Sequence, residues 1–242
     1  MTLHEPDLRV ALSDAQMAGA AGSFARSGVV RIGEFYDPGV AEALWRHLDS
    51  QLPWTRAVSR GGTALELGSD LIAAMDSGHG DAILAAIHDG ARHGFQFLYD
   101  SVITSDDAAA RKARGLLLDR VIDAFNHPTS LAAFRAITGV AEIRRVNGQA
   151  SRYLPGHFLT SHDDGIDGQD RVAAYVLNLT RDWREDWGGM LQFHTASGDI
   201  ALSLKPRFNA MNLFRVPQMH SVSYVAPFAA VPRYAIIGWL CR

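Results

Sequence analysis

The hydrophobic period of this chain changes once, near Glu142, and that change constrains the fold more than any other feature. Before it, apolar residues recur mostly at helical spacing. After it they alternate in short runs divided by Gly, Pro, Asp and Ser. Ser13 is placed to cap a helix ending near Gly28, "GVVRIGEFY" (28–36) reads as a strand, and Asp37-Pro38 opens "GVAEALWRHLDSQL". A long helical stretch is expected from Asp81 to Asp100, with Ile83, Ile87, Phe95 and Leu98 buried, and a second in "AAARKARGLLLDRVIDAFN". Pro128-Thr129 opens a third, which Gly139 ends. Beyond the switch, "EIRRVNGQASRYL" reads as a hairpin turning at Asn147-Gly148. Strands are expected at 156–161, 171–180, 190–195, 199–205, 209–216, 220–225 and 233–241. So many short strands in one stretch suggest a sandwich or jelly roll. The expectation is one α+β domain over 1–242, with residues 1–140 a helical support and 141–242 a β-barrel carrying the active site.

Composition narrows the function classes. With 48% hydrophobic and 20% charged residues the chain is an ordinary globular sequence, and a net charge of −3 with interspersed signs gives no footprint for nucleic acid or an anionic membrane. The single cysteine, Cys241, excludes an intramolecular disulfide and a cysteine zinc cluster. "MTLHEPDLRV" lacks the pattern of a secretory signal, and no apolar run is long enough to span a bilayer. A cytoplasmic protein is expected; the sequence does not speak to oligomeric state.

Three His-x-Asp patterns then have to be sorted. His47 and Asp49 fall in a helix, where residues two apart point roughly 200° apart and cannot share an ion. His79-Gly80-Asp81 sits at a helix entrance, where Asp81 is a natural cap. His162 and Asp164 lie at the end of an extended segment, where i and i+2 share a face, and Gly165 lets the chain turn beside them. They suit either a polar turn or two metal ligands. A 2-His-1-carboxylate site needs a second imidazole, for which His194 and His220 both qualify. His220 opens "HSVSYV", and thirteen residues later Arg233 heads the apolar strand "RYAIIGWL". An arginine inside a barrel is costly unless an anion meets it. A dicarboxylate would supply that anion.

The C-terminal hundred residues carry "RYLPGHFLTSHDD", "RVAAYVLNLTRDWREDWGGMLQFH", "LKPRFNAMNLFRV", "HSVSYV" and "RYAIIGWL". In order and spacing they resemble the Fe(II)- and 2-oxoglutarate-dependent dioxygenases of the prolyl 4-hydroxylase-like group. The resemblance implies a double-stranded β-helix, a jelly-roll barrel, with Fe(II), 2-oxoglutarate as co-substrate and O2. By position, His162, Asp164 and His220 match the iron ligands, and Arg233 matches the residue that pairs with the distal carboxylate of 2-oxoglutarate. Tyr153 matches a tyrosine near the co-substrate. Asn178 stands where a tyrosine bonding the same carboxylate is found in oxygen-sensing members. Arg171 and Trp239 match positions near the substrate. The implied reaction is hydroxylation of a prolyl residue in a protein or peptide, with release of succinate and CO2; the alternative is a small-molecule hydroxylase acting on a free amino acid or metabolite. A non-catalytic binding barrel and a cupin-like zinc protein are the remaining readings, and zinc would leave Arg233 unexplained.

Overall fold

A computed structural model describes all residues except 1–6, 61–62, 69, 71, 74–79, 166–167 and 169. Helix α1 (Asp14–Ser27) starts on a reciprocal Ser13–Gln16 capping box and stops at Gly28, whose φ of 71° is left-handed. Strand β1 (Val29–Ile32) leads to α2 (Pro38–Ser50), which has its proline in the first turn. Then come β2 (Thr55–Arg60), β3 (Thr63–Leu67), α3 (Asp81–His93) and β4 (Phe97–Ile103). Helices α4 (Ala108–Arg114), α5 (Leu117–Phe125) and α6 (Pro128–Thr138) complete this half.

Three expectations for this half need correction. The long helix from Asp81 ends at His93, and Gly94 releases the chain into β4, so Phe95 and Leu98 are not helical. The stretch 108–126 divides at Gly115, where φ is 68°. Thr55–Arg60 and Thr63–Leu67 pair as antiparallel strands, which the mostly helical reading of this half did not include. Of the histidine motifs, His79 lies outside the described residues, and Gly80 rather than Asp81 caps α3.

The second half supplies β5 (Arg145–Tyr153), β6 (Phe158–His162), β7 (Arg171–Asn178), β8 (Leu191–His194), β9 (Ile200–Leu204), β10 (Ala210–Arg215), β11 (His220–Val222) and β12 (Arg233–Cys241). Asn147-Gly148 is not a turn. β5 runs straight through it, with Gly148 facing Gly238 of β12. A Cβ on Gly148 would come within 2.3 Å of the Tyr175 hydroxyl, which donates to Asn147 O at 3.0 Å. The glycine makes room for a cross-sheet hydrogen bond, not for a bend.

All strand pairs are antiparallel, in the order β1-β10-β7-β12-β5-β4-β6-β11-β8-β9, with the β2–β3 pair joined to β4. The sheet curls, and β4 bonds to both β5 and β6 at the bend. Phe214 of β10 consequently packs on His220 of β11, with ring centroids 4.7 Å apart, although the strands are far apart in sheet order. Alternation along β7 decides what lies on each face. Ala173, Tyr175 and Leu177 join the core under the helices, while Ala174 and Val176 face inward with Leu191, Phe193 and Phe214. Under the helices, Phe125 meets Phe35, Phe134 and Tyr175 edge-on. Burying a side chain of that size contributes roughly 1.5–3 kcal/mol. The helices thus cover the outer face of the curled sheet, and its inner face encloses the cavity described next.

Candidate metal centre

Two imidazoles 58 positions apart in sequence meet because β6 and β11 pair antiparallel with His162 opposite His220. Their rings are 4.1 Å apart. Each ring is oriented from behind by a backbone carbonyl: His162 Nδ1 donates to Thr160 O at 3.0 Å, and His220 Nδ1 to Gln218 O at 2.7 Å. A carbonyl can only accept, so Nδ1 carries the proton and Nε2 keeps its lone pair. Both Nε2 atoms point at Asp164, each 3.5 Å from one of its carboxylate oxygens. The three ligand atoms lie within 4.8 Å of one another. Ligands about 2.1 Å from one ion at right angles would sit about 3 Å apart. A modest inward shift would place all three on one face of a single ion.

Asp164 reaches this position by a different route from the one the sequence suggests. β6 ends at His162, and Asp164 sits beyond it in a left-handed conformation, φ 62°. The turn is made at the aspartate itself, whereas Gly165 is not among the residues of positive φ. Aspartate tolerates this region better than most residues. Asp163 helps hold the turn: its carboxylate accepts from Gly165 N at 3.0 Å, and its carbonyl accepts from Gln218 N at 3.2 Å, beside His220.

The electrostatics suit metal binding. Burial raises the Asp164 pKa, but hydrogen bonding to His162 and the nearby His220 and His162 rings outweigh it, so the carboxyl stays below its usual range. Burial, with the neighbouring His162, lowers His220 to about 4, which keeps it neutral and able to ligate at pH 7.

A cavity of about 460 Å³ opens over the three ligands. Arg233, Tyr153, Trp239 and Arg171 line it; Asn178 does not. Arg233 is 2% exposed, and its Nε has no hydrogen-bond partner. It stands opposite Tyr153 in the β12–β5 register, with the guanidinium 4.9 Å from that ring. Gly188 and Gly189 of the WGGM stretch allow close packing here. A Cβ on Gly189, whose φ is 62°, would meet Trp183 at 3.0 Å and Arg233 Cδ at 3.1 Å. A buried guanidinium on the wall of a cavity fits an anionic group of a ligand. Asn178 is buried, with its amide N–H groups donated to Val176 O and Ala210 O. His194, the other imidazole considered, lies 2.9 Å from Ser221 Oγ and outside the ligand cluster. His47 is a core residue, accepting from Leu118 N and bonded to Gln51.

Part of the site escaped sequence reading. Phe95, Phe97 and Tyr99 line the cavity, with Phe95 5.1 Å from the His162 ring and Tyr99 stacked 5.2 Å from Tyr153. The signal was present in "FQFLYD", where aromatic residues alternate at a strand's period directly after His93-Gly94.

The family model described as the 2OG-Fe(II) oxygenase superfamily matches residues 148–241. No curated protein sequence matches the chain significantly. Among solved structures, a Pseudomonas putida prolyl-4-hydroxylase is similar at 16% identity and TM-score 0.56, over 94% of this chain and 99% of that one. A prolyl hydroxylase from Trichoplax adhaerens, solved with a hypoxia inducible factor peptide fragment, is similar at 16% identity and TM-score 0.55, over 94% and 91%. The epimerase SnoN of nogalamycin biosynthesis is similar at 12% identity and TM-score 0.56, over 95% and 82%. At these identities the likeness is one of fold: the double-stranded β-helix of these oxygenases.

Proposed function

We propose that the chain is a 2OG-Fe(II) oxygenase of prolyl 4-hydroxylase-like architecture and that it hydroxylates a prolyl residue in a protein or peptide, a reading supported by the family match over residues 148–241 and by the shared fold. In this reading His162, Asp164 and His220 hold Fe(II), and Arg233 binds the distal carboxylate of 2-oxoglutarate. Metal, 2-oxoglutarate and O2 together supply oxidation of an unactivated C–H bond, with succinate and CO2 as by-products. The protein's share is orientation and exclusion of water. Thr160 O and Gln218 O fix the two imidazoles, and the turn at Asp164 sets the carboxylate. Tyr153 closes the cavity wall against Arg233, and burial there keeps its phenol protonated and neutral. Asn178, whose amide nitrogen is held by Val176 O and Ala210 O, is assigned no contact with the co-substrate.

The aromatic wall carries the prolyl assignment. Phe97 and Tyr99 line the cavity, and Phe95, 43% exposed, extends the row to its mouth beside His162. Extended proline-containing segments dock on aromatic-lined grooves because the pyrrolidine ring packs on the ring faces at little conformational cost. The test incubates the enzyme with Fe(II), 2-oxoglutarate, O2 and a cell proteome, or a panel of free amino acids. One added oxygen on a prolyl residue of a specific protein is expected. Stoichiometric succinate release driven by a free amino acid, with no protein modified, would overturn it. The lining of the cavity by Arg171 favours that small-molecule reading as the second one. Either activity would be carried out by the whole chain as one domain. We place it in the cytoplasm, where the lone buried Cys241 thiol has no need of a partner. Among the described residues no helix is long and apolar enough to cross a membrane.

A further inference from the structure

Among the described residues, the charged groups lining the cavity are Asp163, Asp164, Arg171 and Arg233, and three of them have an assigned partner. Asp163 is tied to Gly165, Asp164 to the metal site, and Arg233 to the co-substrate. Arg171 has only a loose ion pair, with Asp164. Its side chain is only 10% exposed, and the guanidinium lies 3.7 Å above the Trp239 ring, which fixes its plane. Its Nε is buried without a hydrogen-bond partner. One terminal nitrogen reaches Asp164 O at 3.4 Å and the Asp164 carboxylate only at 3.8 Å, beyond hydrogen-bond distance. Two other arginines of the barrel half that could have served a ligand are spent elsewhere. Arg152 pairs with Asp100, and Arg181 pairs with Glu42.

We propose that Arg171 is a carboxylate receptor and that the substrate presents an acid group to it. This deepens the hydroxylase reading and rests on it. Phe95 flanks the metal ligands on the His162 side, and Arg171 flanks them on the Asp164 side. A substrate spanning the metal would therefore meet an aromatic wall at one end and a fixed guanidinium at the other. Stacking on Trp239 and the contact of one terminal nitrogen with Asp164 O leave the Nε side of the guanidinium for a bidentate, charge-assisted pair, the arrangement that a carboxylate matches. The acid can come from a side chain next to the target residue of a peptide or from the free carboxylate of an amino acid.

Matched acid and amide probes test this. Binding to protein loaded with Fe(II) and 2-oxoglutarate is measured calorimetrically without O2. The pairs are L-proline and L-prolinamide, blocked peptides with Pro-Asp or Pro-Asn at the centre, and non-prolyl amino acids with their amides. The acid of at least one pair should bind about tenfold tighter. Arg171→Gln should bring that ratio to about one, and Arg171→Lys should restore part of it. The ratio is internal to each variant, so a general loss of affinity or stability cannot imitate the result. Ratios near one for every pair, or a preference that survives Arg171→Gln, would overturn the proposal. An Arg171-dependent preference confined to non-prolyl pairs would instead remove the prolyl assignment and leave Arg171 in its role. Preference for free proline or for the Pro-Asp peptide identifies the source of the acid.

Discussion

Replacing Arg233 with methionine keeps an unbranched apolar stem and removes the buried charge. In the ligand-free protein that charge lies on the cavity wall, and its Nε has no hydrogen-bond partner. Burial alone lowers its pKa, with only the Tyr153 ring region opposing. Removing it should therefore cost little stability, and the melting temperature of ligand-free Arg233→Met should equal or exceed the parent's. Co-substrate binding should behave in the opposite way. Hydrogen bonds to charged groups contribute about 1.5–3 kcal/mol, so 2-oxoglutarate should bind about 10- to 150-fold more weakly. Calorimetric titration of metal-loaded protein without O2 measures this directly. A companion titration with 2-oxovalerate, which ends in a methyl where 2-oxoglutarate has its distal carboxylate, isolates the contact. The parent should strongly prefer 2-oxoglutarate, and the variant should bind the two nearly alike. Arg233→Lys should recover part of the preference, lacking the planar fork. If Arg233→Met keeps the parent's preference for 2-oxoglutarate, Arg233 does not hold the distal carboxylate.

His162→Ala or His220→Ala should abolish Fe(II) binding and succinate formation, whereas His47→Gln should change stability and not metal content; metal analysis after anaerobic reconstitution checks both. Gly189→Ala should weaken 2-oxoglutarate binding and cost about 1–3 kcal/mol, because its Cβ would crowd Trp183 and Arg233 at a φ of 62°. Gly198→Ala, at a φ of 89° with open space around it, should lower stability only, as read from denaturant midpoints and titrations. His157 gives a pH prediction: burial depresses it from 6.5 to about 4. The unfolded chain then binds the extra proton more readily, so stability is full above about pH 6.5 and falls as pH drops towards 4, by at most about 3 kcal/mol. His157→Leu should flatten the urea-midpoint trend between pH 7.5 and 5, and an unchanged trend would remove His157 as its source. His220, also held neutral, contributes in the same direction while the protein is metal-free.

Periodicity and punctuation carried much of the fold. The cap at Ser13, the helix end near Gly28 and the period-two strands of the second half were readable, because caps, glycine stops and alternation are signals carried by a few consecutive residues. Reading stopped where a local signal has two meanings. Asn147-Gly148 looks like a turn, yet the glycine is there to admit the Tyr175 hydroxyl from β7, two strands away across β12. Residues 81–100 keep an apolar pattern across Gly94, and only pairing of β4 with β2, β5 and β6 decides that the second part is a strand.

The site divides in the same way. Residue chemistry and order singled out His162, Asp164, His220 and Arg233, because few structures other than a metal and an anion site need those groups in an apolar barrel. The sequence left His194 and His220 both open as the second imidazole. The β6–β11 register settles which one faces His162. The left-handed turn at Asp164, the aromatic wall from β4 and the stacking of Arg171 on Trp239 are likewise tertiary facts. A sequence fixes which side chains are available and how each segment alternates. Which of them converge depends on how a curled sheet brings distant strands together, and that is decided by packing over the whole molecule.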